Sequence, residues 1–143
     1  MSFLVDLVDG LARLLDAQAV GVYRPDGLYA DGETAITDTA MPPGPDRAVV
    51  LTVYADAGSA ALTDTTVSVQ VRTRAGQDPR DVADLDDAAY TVLHAAGPLN
   101  VGGIPVNLIY RTSTASLGAD ANGRHERTSN YSVRTHRAHP QLS

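Results

Sequence analysis

The sequence has 143 residues, of which 43% are hydrophobic and 20% charged, with no cysteine and a formal net charge of −6. This composition predicts one domain with its own core, and it excludes disulfides, thiolate chemistry and a membrane-spanning helix, because no apolar run approaches about 20 residues. The acidic balance argues against a dedicated duplex-DNA binder, whose affinity comes from neutralising phosphates.

The chain is predicted to begin with an amphipathic helix over residues 2–17, whose leucines fall on one stripe with Phe3. No basic region precedes this apolar stretch, so we expect no signal peptide and synthesis in the cytoplasm. A short strand follows at 20–23. Residues 24–47 contain turn and breaker signals and are predicted to be irregular, apart from a brief strand at 35–37. Such a long irregular stretch is typically functional or ordered by a partner.

The clearest pattern is a strand that leads into a helix. After a strand at 49–54, residues 66–74 alternate, with three valines on one side and polar residues that include two arginines on the other. Asp78 and Pro79 mark the start of a helix to residue 96, and a Gly-Pro pair ends it. Tyr90 lies off the apolar stripe of this helix, which is a hint of a partner surface.

The last part of the chain is predicted to be a hairpin and a final strand. Paired glycines join arms at 99–101 and 104–112, a loop covers 117–123, and the last strand covers 127–136. The order of elements predicts an α+β fold with two helices packed on one face of a mixed, mostly antiparallel sheet. We expect a single domain over residues 1–136 and a flexible tail over 137–143.

The polar face of this sheet is the main candidate surface. A basic stripe there and carboxylates in the loops of the same chain favour head-to-tail association, which closes into a ring if the rotation permits. A solvated face without a partner is the alternative that the sequence leaves open. The candidate interface residues are Arg72, Arg74, Arg111, Arg134 and Tyr90, and the candidate acidic contacts or lumen residues are Asp26, Asp31, Glu33, Asp38 and Asp56.

Few residues of the chain suggest catalysis. A lysine-bearing phosphate loop is excluded because the sequence contains no lysine. The pair His136 and His139 lacks a third metal ligand on a rigid frame. A small hydrolase using His125 with Asp120 or Glu126 is a weak alternative, since no triad is positioned, and a polar sheet face disfavours a binding module with an apolar groove. We therefore predict no catalytic residue, cofactor or metal.

Several segments carry a family likeness that covers nearly the whole chain in order. They are residues 1–12, 22–25, 69–74 with 78–82, 122–124 with Arg127, and 130–133. In this order they resemble the minor capsid or tail terminator proteins of long-tailed phages that infect actinobacteria. The strand–turn–helix segment at 69–82 is the most specific of them.

The resemblance implies a structural role in the virion and no enzyme activity. The resemblance also implies a ring of six α+β subunits that caps the tail tube and ends its polymerisation. The implied partners are further copies of the chain, the tube protein and the head connector, and DNA passes through the lumen without specific binding. A head-closure or connector protein of similar size is the nearest alternative. No membrane partner is implied.

Overall fold

A single seven-stranded sheet forms the frame of the molecule, with strand order β1-β2-β3-β4-β7-β6-β5. The computed structural model describes residues 2–58 and 64–137. Neighbouring strands pair in parallel from β1 to β3 and antiparallel elsewhere. The elements are α1 (Phe3–Ala17), β1 (Val22–Tyr23), β2 (Ala35–Asp38), β3 (Ala48–Gly58), β4 (Asp64–Arg74), α2 (Pro79–Leu93), β5 (Leu99–Val101), β6 (Ile104–Ala119) and β7 (His125–His136).

Both helices pack on one face of this sheet, so the predicted α+β class is confirmed. The valines of β4 that were expected to point inward are buried, and they share one core with the leucine stripe of α1 and with Leu85 and Leu93 of α2. α1 contacts β1, β2 and β3 on one side and β5 and β6 on the other, so the sheet curls around it. Each fully buried leucine contributes about 1.5–3 kcal/mol to this packing.

The helix starts follow the sequence, whereas one helix end does not. Ser2 caps α1 by accepting a hydrogen bond from Val5 N at 3.2 Å, and Asp78 caps α2 by accepting one from Arg80 N at 3.0 Å. α2 ends at Leu93, three residues before the predicted residue 96. The reason is that residues 95 and 96 bond to β6 instead, through Ala95 N–Ile109 O and Ile109 N–Ala96 O contacts of 2.8 Å.

The predicted loop at 117–123 is wrong at its start, because residues 117–119 belong to a strand. β6 continues to Ala119 and β7 begins at His125, so the two strands form a long hairpin closed by a short turn. Gly118, with a φ of 78°, lies in a bulge of β6 rather than in the turn. Asp120 closes the turn by accepting hydrogen bonds from Asn122 N and Arg124 N, both at 2.9 Å. The predicted tail lies outside the described residues from position 138 onward.

The face predicted for Arg111 is also wrong. β6 contains a bulge between Val106 and Leu108, so the alternation before and after it is not continuous. Val106 and Ile109 are both core residues, and Arg111 pairs with Tyr131 on the side that the helices cover. Arg111 therefore does not share the polar face with Arg72 and Arg134.

Candidate assembly surfaces

The sheet face turned away from the helices, which we call the open face, carries two of the predicted interface arginines. Arg72 and Arg134 occupy positions of β4 and β7 that alternate with the buried valines. Arg72 lies level with Thr128 and Arg134 with Thr66, so the two arginines are six residues apart along the strands. At about 3.3 Å a residue this is about 20 Å, too far for one acidic group to contact both.

Arg72 already has an acidic partner in its own chain. Its Nε donates to Oε1 of Glu126 at 2.7 Å. The side chain of Glu126 is only 10% exposed, whereas that of Arg72 is 42% exposed. The ion pair therefore ties β4 to the start of β7, and it leaves part of the guanidinium accessible to another chain.

Arg74 is buried within its own chain. The residue is 2% exposed, and its guanidinium donates to the carbonyl oxygens of Pro45 at 2.7 Å and Asp46 at 2.9 Å. Burial lowers the pKa of the guanidinium. Arg124 holds the same irregular segment by donating to Pro43 O at 2.8 Å. These two arginines fasten the segment before β3 to the sheet, and Arg74 is not available to a partner.

Arg134 contrasts with the other arginines. Its guanidinium lies 5.7 Å from the ring centroid of Tyr110, and hydrogen bonds from Ser132 and Arg134 lower the pKa of that tyrosine. Within residues 2–58 and 64–137 it contacts neither a carboxylate nor a carbonyl acceptor. Of the predicted basic residues, it is the one best placed to bind an acidic group of another chain.

Arg111 and Tyr90 meet on the helix side of the sheet. The guanidinium lies 4.1 Å from the ring centroid of Tyr90, and the ring of His94 stacks on the same tyrosine at 4.6 Å. Arg111 N also donates to Nδ1 of His94 at 3.1 Å. Tyr90 is thus half-buried by its own chain, and the contact joins the end of α2 to β6.

Asp86 of α2 is the acidic centre beneath this contact. It is 5% exposed and accepts a hydrogen bond from Ser129 Oγ at 2.6 Å. Arg111 Nη1 lies 3.4 Å and Arg127 Nε 3.8 Å from its carboxylate. One buried carboxylate therefore links α2 to both β6 and β7.

The predicted acidic residues do not converge on one surface. Glu33 binds Arg24 through two contacts of 2.7 Å and also accepts from Ala30 N at 2.6 Å, and these hydrogen bonds lower the pKa of Glu33 to about 2. Asp56 accepts from Thr65 Oγ1 at 2.6 Å and lies 3.4 Å from Arg137. Asp38 accepts from Thr39 Oγ1 at 2.6 Å. Glu33 belongs to the loop between β1 and β2, whereas Asp56 lies near the far end of β3.

Asp26 and Asp31 are exposed in the loop between β1 and β2, with no partner among the described residues. Asp31 and Glu33 line a cleft of about 540 Å³ together with Asp46 and Asp81. Arg47 lines the same cleft and binds Asp81 there. The cleft is therefore acidic on balance, and it lies where β3 begins.

The residues of the hydrolase alternative are occupied by structural contacts. Asp120 holds the β6–β7 turn and binds Arg124 Nε at 2.9 Å, and Glu126 binds Arg72. Both acids are thus engaged with arginines instead of with His125. His139, half of the histidine pair, lies outside the described residues. In the part of the chain that the structure describes, no three acidic or histidine side chains form a metal-binding group, and no helix has the length and apolarity to cross a membrane.

Two strand edges are features that the sequence analysis missed. Residues 52–58 of β3 extend beyond the end of β2. Residues 112–119 of β6 extend beyond β5 and the segment after α2, which lie on the side away from β7. Among the described residues, both strands therefore have an unpaired outer edge. The available signal was the absence of any charged residue from 112 to 119. Gly118 favoured the prediction of a loop at this point, because glycine is more typical of a turn than of a strand.

Comparison with known families decides what kind of protein this is. Residues 14–137 match the family described as bacteriophage tail terminator protein. The chain belongs to that family. Tail terminators are structural proteins of the phage tail, so this protein has a structural role and is not an enzyme. The predicted resemblance to tail terminators is confirmed, whereas the actinobacterial host stays a prediction.

A solved structure shows that the fold also occurs in a chain of another virion. The chain is similar to a chain of the "Virion of native gene transfer agent (GTA) particle", with a TM-score of 0.65 and 14% sequence identity. The similarity covers 91% of this chain and 94% of that one. At this identity it establishes a shared fold for the tail terminator described here. No curated protein matches the chain.

Proposed function

We propose that this tail terminator assembles into a ring, with six subunits as the resemblance implies, that caps the tail tube at the junction with the head. The ring ends polymerisation of the tube, joins the tail to the head connector and lets DNA pass. The observation that carries the proposal is the family match over residues 14–137. The likeness to a chain of a gene transfer agent virion is in keeping with a place in such a particle.

Termination requires a ring with two unlike surfaces. One surface must complement the end of the tube, and the other must reject further tube subunits, or growth would continue. The subunit has such unlike ends, because the acidic cleft lies where β3 begins, whereas the β3–β4 hairpin lies at the other end of the sheet. We assign the two docking surfaces of the ring to these opposite ends.

The net charge of −6 suits a ring through which DNA slides. Negative walls repel phosphate and prevent sticking. Among the predicted acidic residues, Asp26 and Asp31 are the ones without an internal partner, so they supply uncompensated charge to a lumen or to a neighbouring chain. Glu33 and Asp56 contribute less, because each has an arginine partner in its own chain, whereas Asp38 keeps its charge beside the hydroxyl of Thr39.

Electron microscopy of particles made without this protein tests the proposal. Tail termination predicts tails of irregular, excessive length that lack heads. A head-closure role predicts normal tails and filled heads that leak DNA and carry no tail. Tails of normal length joined to intact heads would refute both roles, and restoring the gene must restore normal tail length if the effect is specific.

A further inference from the structure

One unpaired edge belongs to β3. The parallel strand β2 covers β3 only to Leu51, which pairs with Asp38, and Thr39 N completes the contact by donating to Leu51 O at 2.9 Å. Beyond that point, residues 52–58 pair with β4 on the inner side, and none of the described residues pairs with their outer side. We call this segment the β3 edge.

A second unpaired edge of similar length belongs to β6. β5 pairs with residues 104–106, and the segment after α2 covers Ile109 and Arg111. From 112 to 119 the strand pairs with β7 alone within the described chain. We call this segment the β6 edge. Its eight residues and the seven residues of the β3 edge lie on opposite sides of the β4–β7 strand pair.

Neither edge carries the protection usual for an exposed strand. Soluble proteins commonly place lysine, proline or inward-pointing charges on such edges to prevent pairing with another chain. The β6 edge has no charged residue and no proline, and the single charge of the β3 edge, Asp56, is engaged with Thr65 and Arg137. Bulges bend both strands, but free backbone N–H and C=O groups remain on each.

We propose that the β3 edge of one subunit pairs with the β6 edge of the next, which makes one sheet continuous across the subunit boundary. The inference rests on the ring of the proposed function and names its subunit contact. β3 and β6 run in opposite directions, since three antiparallel steps separate them. Two subunits in the same orientation therefore meet as an antiparallel pair, and the contact is head-to-tail, as a closed ring requires.

The positions of the two edges also fit a ring. Ala55 lies level with Ser132 of β7, whereas Ala115 lies level with Thr128, so the edges are offset by about four residues, or about 13 Å. Four strands of each subunit, about 4.8 Å apart, span about 19 Å. Pairing the edges then tilts the strands by about 35°, which is within the range of about 35–45° found in closed barrels.

A second copy is the occupant that the geometry favours over another protein. The same molecule offers both halves of the contact, with matching length, direction and offset. β2 fills the lower part of the space beside β3, and the neighbouring β6 edge would fill the upper part without overlapping it. A tube subunit could use one edge, but it would leave the other exposed around the ring.

The absence of native cysteine makes cross-linking a direct test. The variant Ala55→Cys with Ala115→Cys places one thiol on each edge, both on the open face. It replaces the wild-type protein in assembling particles, which are then treated with a short bismaleimide. Edge pairing predicts a ladder of covalent oligomers up to the ring size under denaturing conditions. Each single variant alone should give no cross-link, because a head-to-tail contact does not bring identical residues together.

The matched control is Ala55→Cys with Ala121→Cys, whose second thiol is exposed in the β6–β7 turn rather than on the edge. It should give no ladder. The proposal is overturned if the double edge variant enters particles with normal tails and gives no ladder, an outcome that leaves tail termination intact. Cross-linking of a single variant to itself, or to a different virion protein, would also overturn it.

Hydrogen exchange of the wild-type protein gives a second readout that needs no substitution. The amides of the two edges that point outward should exchange at least tenfold more slowly in particles than in the dissociated subunit, whereas those bonded to β4 or β7 are already protected. Residues 120–124 in the turn serve as the internal reference and should change little. Fast exchange of both edges in intact particles would refute the pairing, whereas normal tails in particles lacking the protein would refute the proposed function itself.

Discussion

At the scale of single residues, the arginines of this chain serve mainly its own fold. All 11 basic residues are arginines. Ten of them lie within 4 Å of a carboxylate or donate to a carbonyl within the described residues, with Arg74 and Arg124 the most buried examples. Arginine suits this role because its planar group makes several directed hydrogen bonds and is weakly hydrated. The exception is Arg134, which is therefore the arginine to test for a contact with another chain.

Asp86→Ala is expected to lower the free energy of unfolding by about 2–4 kcal/mol, because it leaves Ser129, Arg111 and Arg127 without their shared acceptor. Urea unfolding followed by circular dichroism measures the change. Asp84→Ala is the control on the same helix, since Asp84 is exposed, and it should change stability by no more than about 0.5 kcal/mol. Equal effects of the two variants would contradict a structural role for Asp86.

Glu33 predicts a pH dependence of stability. Its pKa is lowered to about 2 by Arg24 and Ala30 N from an ordinary value of 4.5. A lowered carboxyl pKa stabilises the folded state above the ordinary value, and this contribution is lost as the pH falls from about 4.5 to about 2. The difference in unfolding free energy between wild type and Glu33→Gln should thus be constant above about pH 5 and shrink as the pH falls from about 4.5 toward about 2.

Urea unfolding at several pH values between about 2 and 6, which span this window, measures that difference. Asp26→Asn is the control in the same loop, because Asp26 has no partner among the described residues. Its difference from wild type should not follow the same curve. A flat difference for Glu33→Gln would show that the ion pair with Arg24 does not persist in solution.

At the scale of elements, close backbone contacts position α1 against the β5–β6 turn. Gly102 has a φ of 58°, and a Cβ there would lie 2.3 Å from Asp6 O of the helix. Gly10 of α1 faces the same turn, since a Cβ on it would lie 2.4 Å from Gly102 N. Glycine on both sides lets the helix and the turn touch through their backbones, so the curl of the sheet around α1 depends on these two residues.

Gly102→Ala is expected to be more destabilising than Gly103→Ala. Both glycines have positive φ, at 58° and 82°, so both variants pay about 1–2 kcal/mol of backbone strain. Only Gly102→Ala adds a clash with Asp6 O, for about 1–3 kcal/mol more, because a Cβ at Gly103 has no neighbour within 4 Å. Thermal unfolding of the two variants measures the difference, and equal melting temperatures would show that α1 does not hold this position.

At the scale of the whole molecule, the subunit is a tail terminator whose single core is complete but whose sheet is not. One cluster of buried side chains joins both helices to the central strands, so we expect the isolated chain to fold alone. Two strand edges nevertheless remain unpaired at opposite corners of the sheet. A complete core with incomplete sheet edges is suited to a protein that is stable before assembly and gains further backbone hydrogen bonds in a ring.

Arg134→Glu is expected to reduce incorporation of the protein into particles at least tenfold without lowering its melting temperature, because Arg134 has no acidic partner in the described chain. Quantitative gels of purified particles and thermal unfolding of the free subunit measure the two effects. Arg80→Glu makes the same charge change at a side chain that is 88% exposed and should leave incorporation unchanged.

Arg72→Glu provides a contrast to this pair of variants. It breaks the ion pair with Glu126 and places two carboxylates together, so it should lower the melting temperature as well as incorporation. Normal incorporation of Arg134→Glu would remove Arg134 from the interface. The double variant Arg72→Glu with Arg134→Glu would then show only the loss of stability caused by the change at Arg72.

Patterns local in the chain were enough to predict most elements. The alternation of β4 and the caps at Ser2 and Asp78 act over a few residues, so they identify the buried faces and helix starts directly. The strand–turn–helix segment at 69–82 carried the family resemblance that the match over residues 14–137 confirms. The α+β class follows from the same information, because an apolar stripe and an apolar sheet face must cover each other.

Only the tertiary structure decided which side chains remain available to other proteins. Arg74, Arg111 and Arg134 all lie in predicted strands, so the sequence alone does not distinguish them. The bulge after Val106 turns Arg111 toward Asp86, and the segment before β3 buries Arg74. The unpaired edges are likewise invisible locally, since they depend on where β2 and β5 stop beside strands distant in the chain. Burial, pairing and strand register are set by contacts between distant residues, and no local pattern of charge or hydrophobicity encodes them.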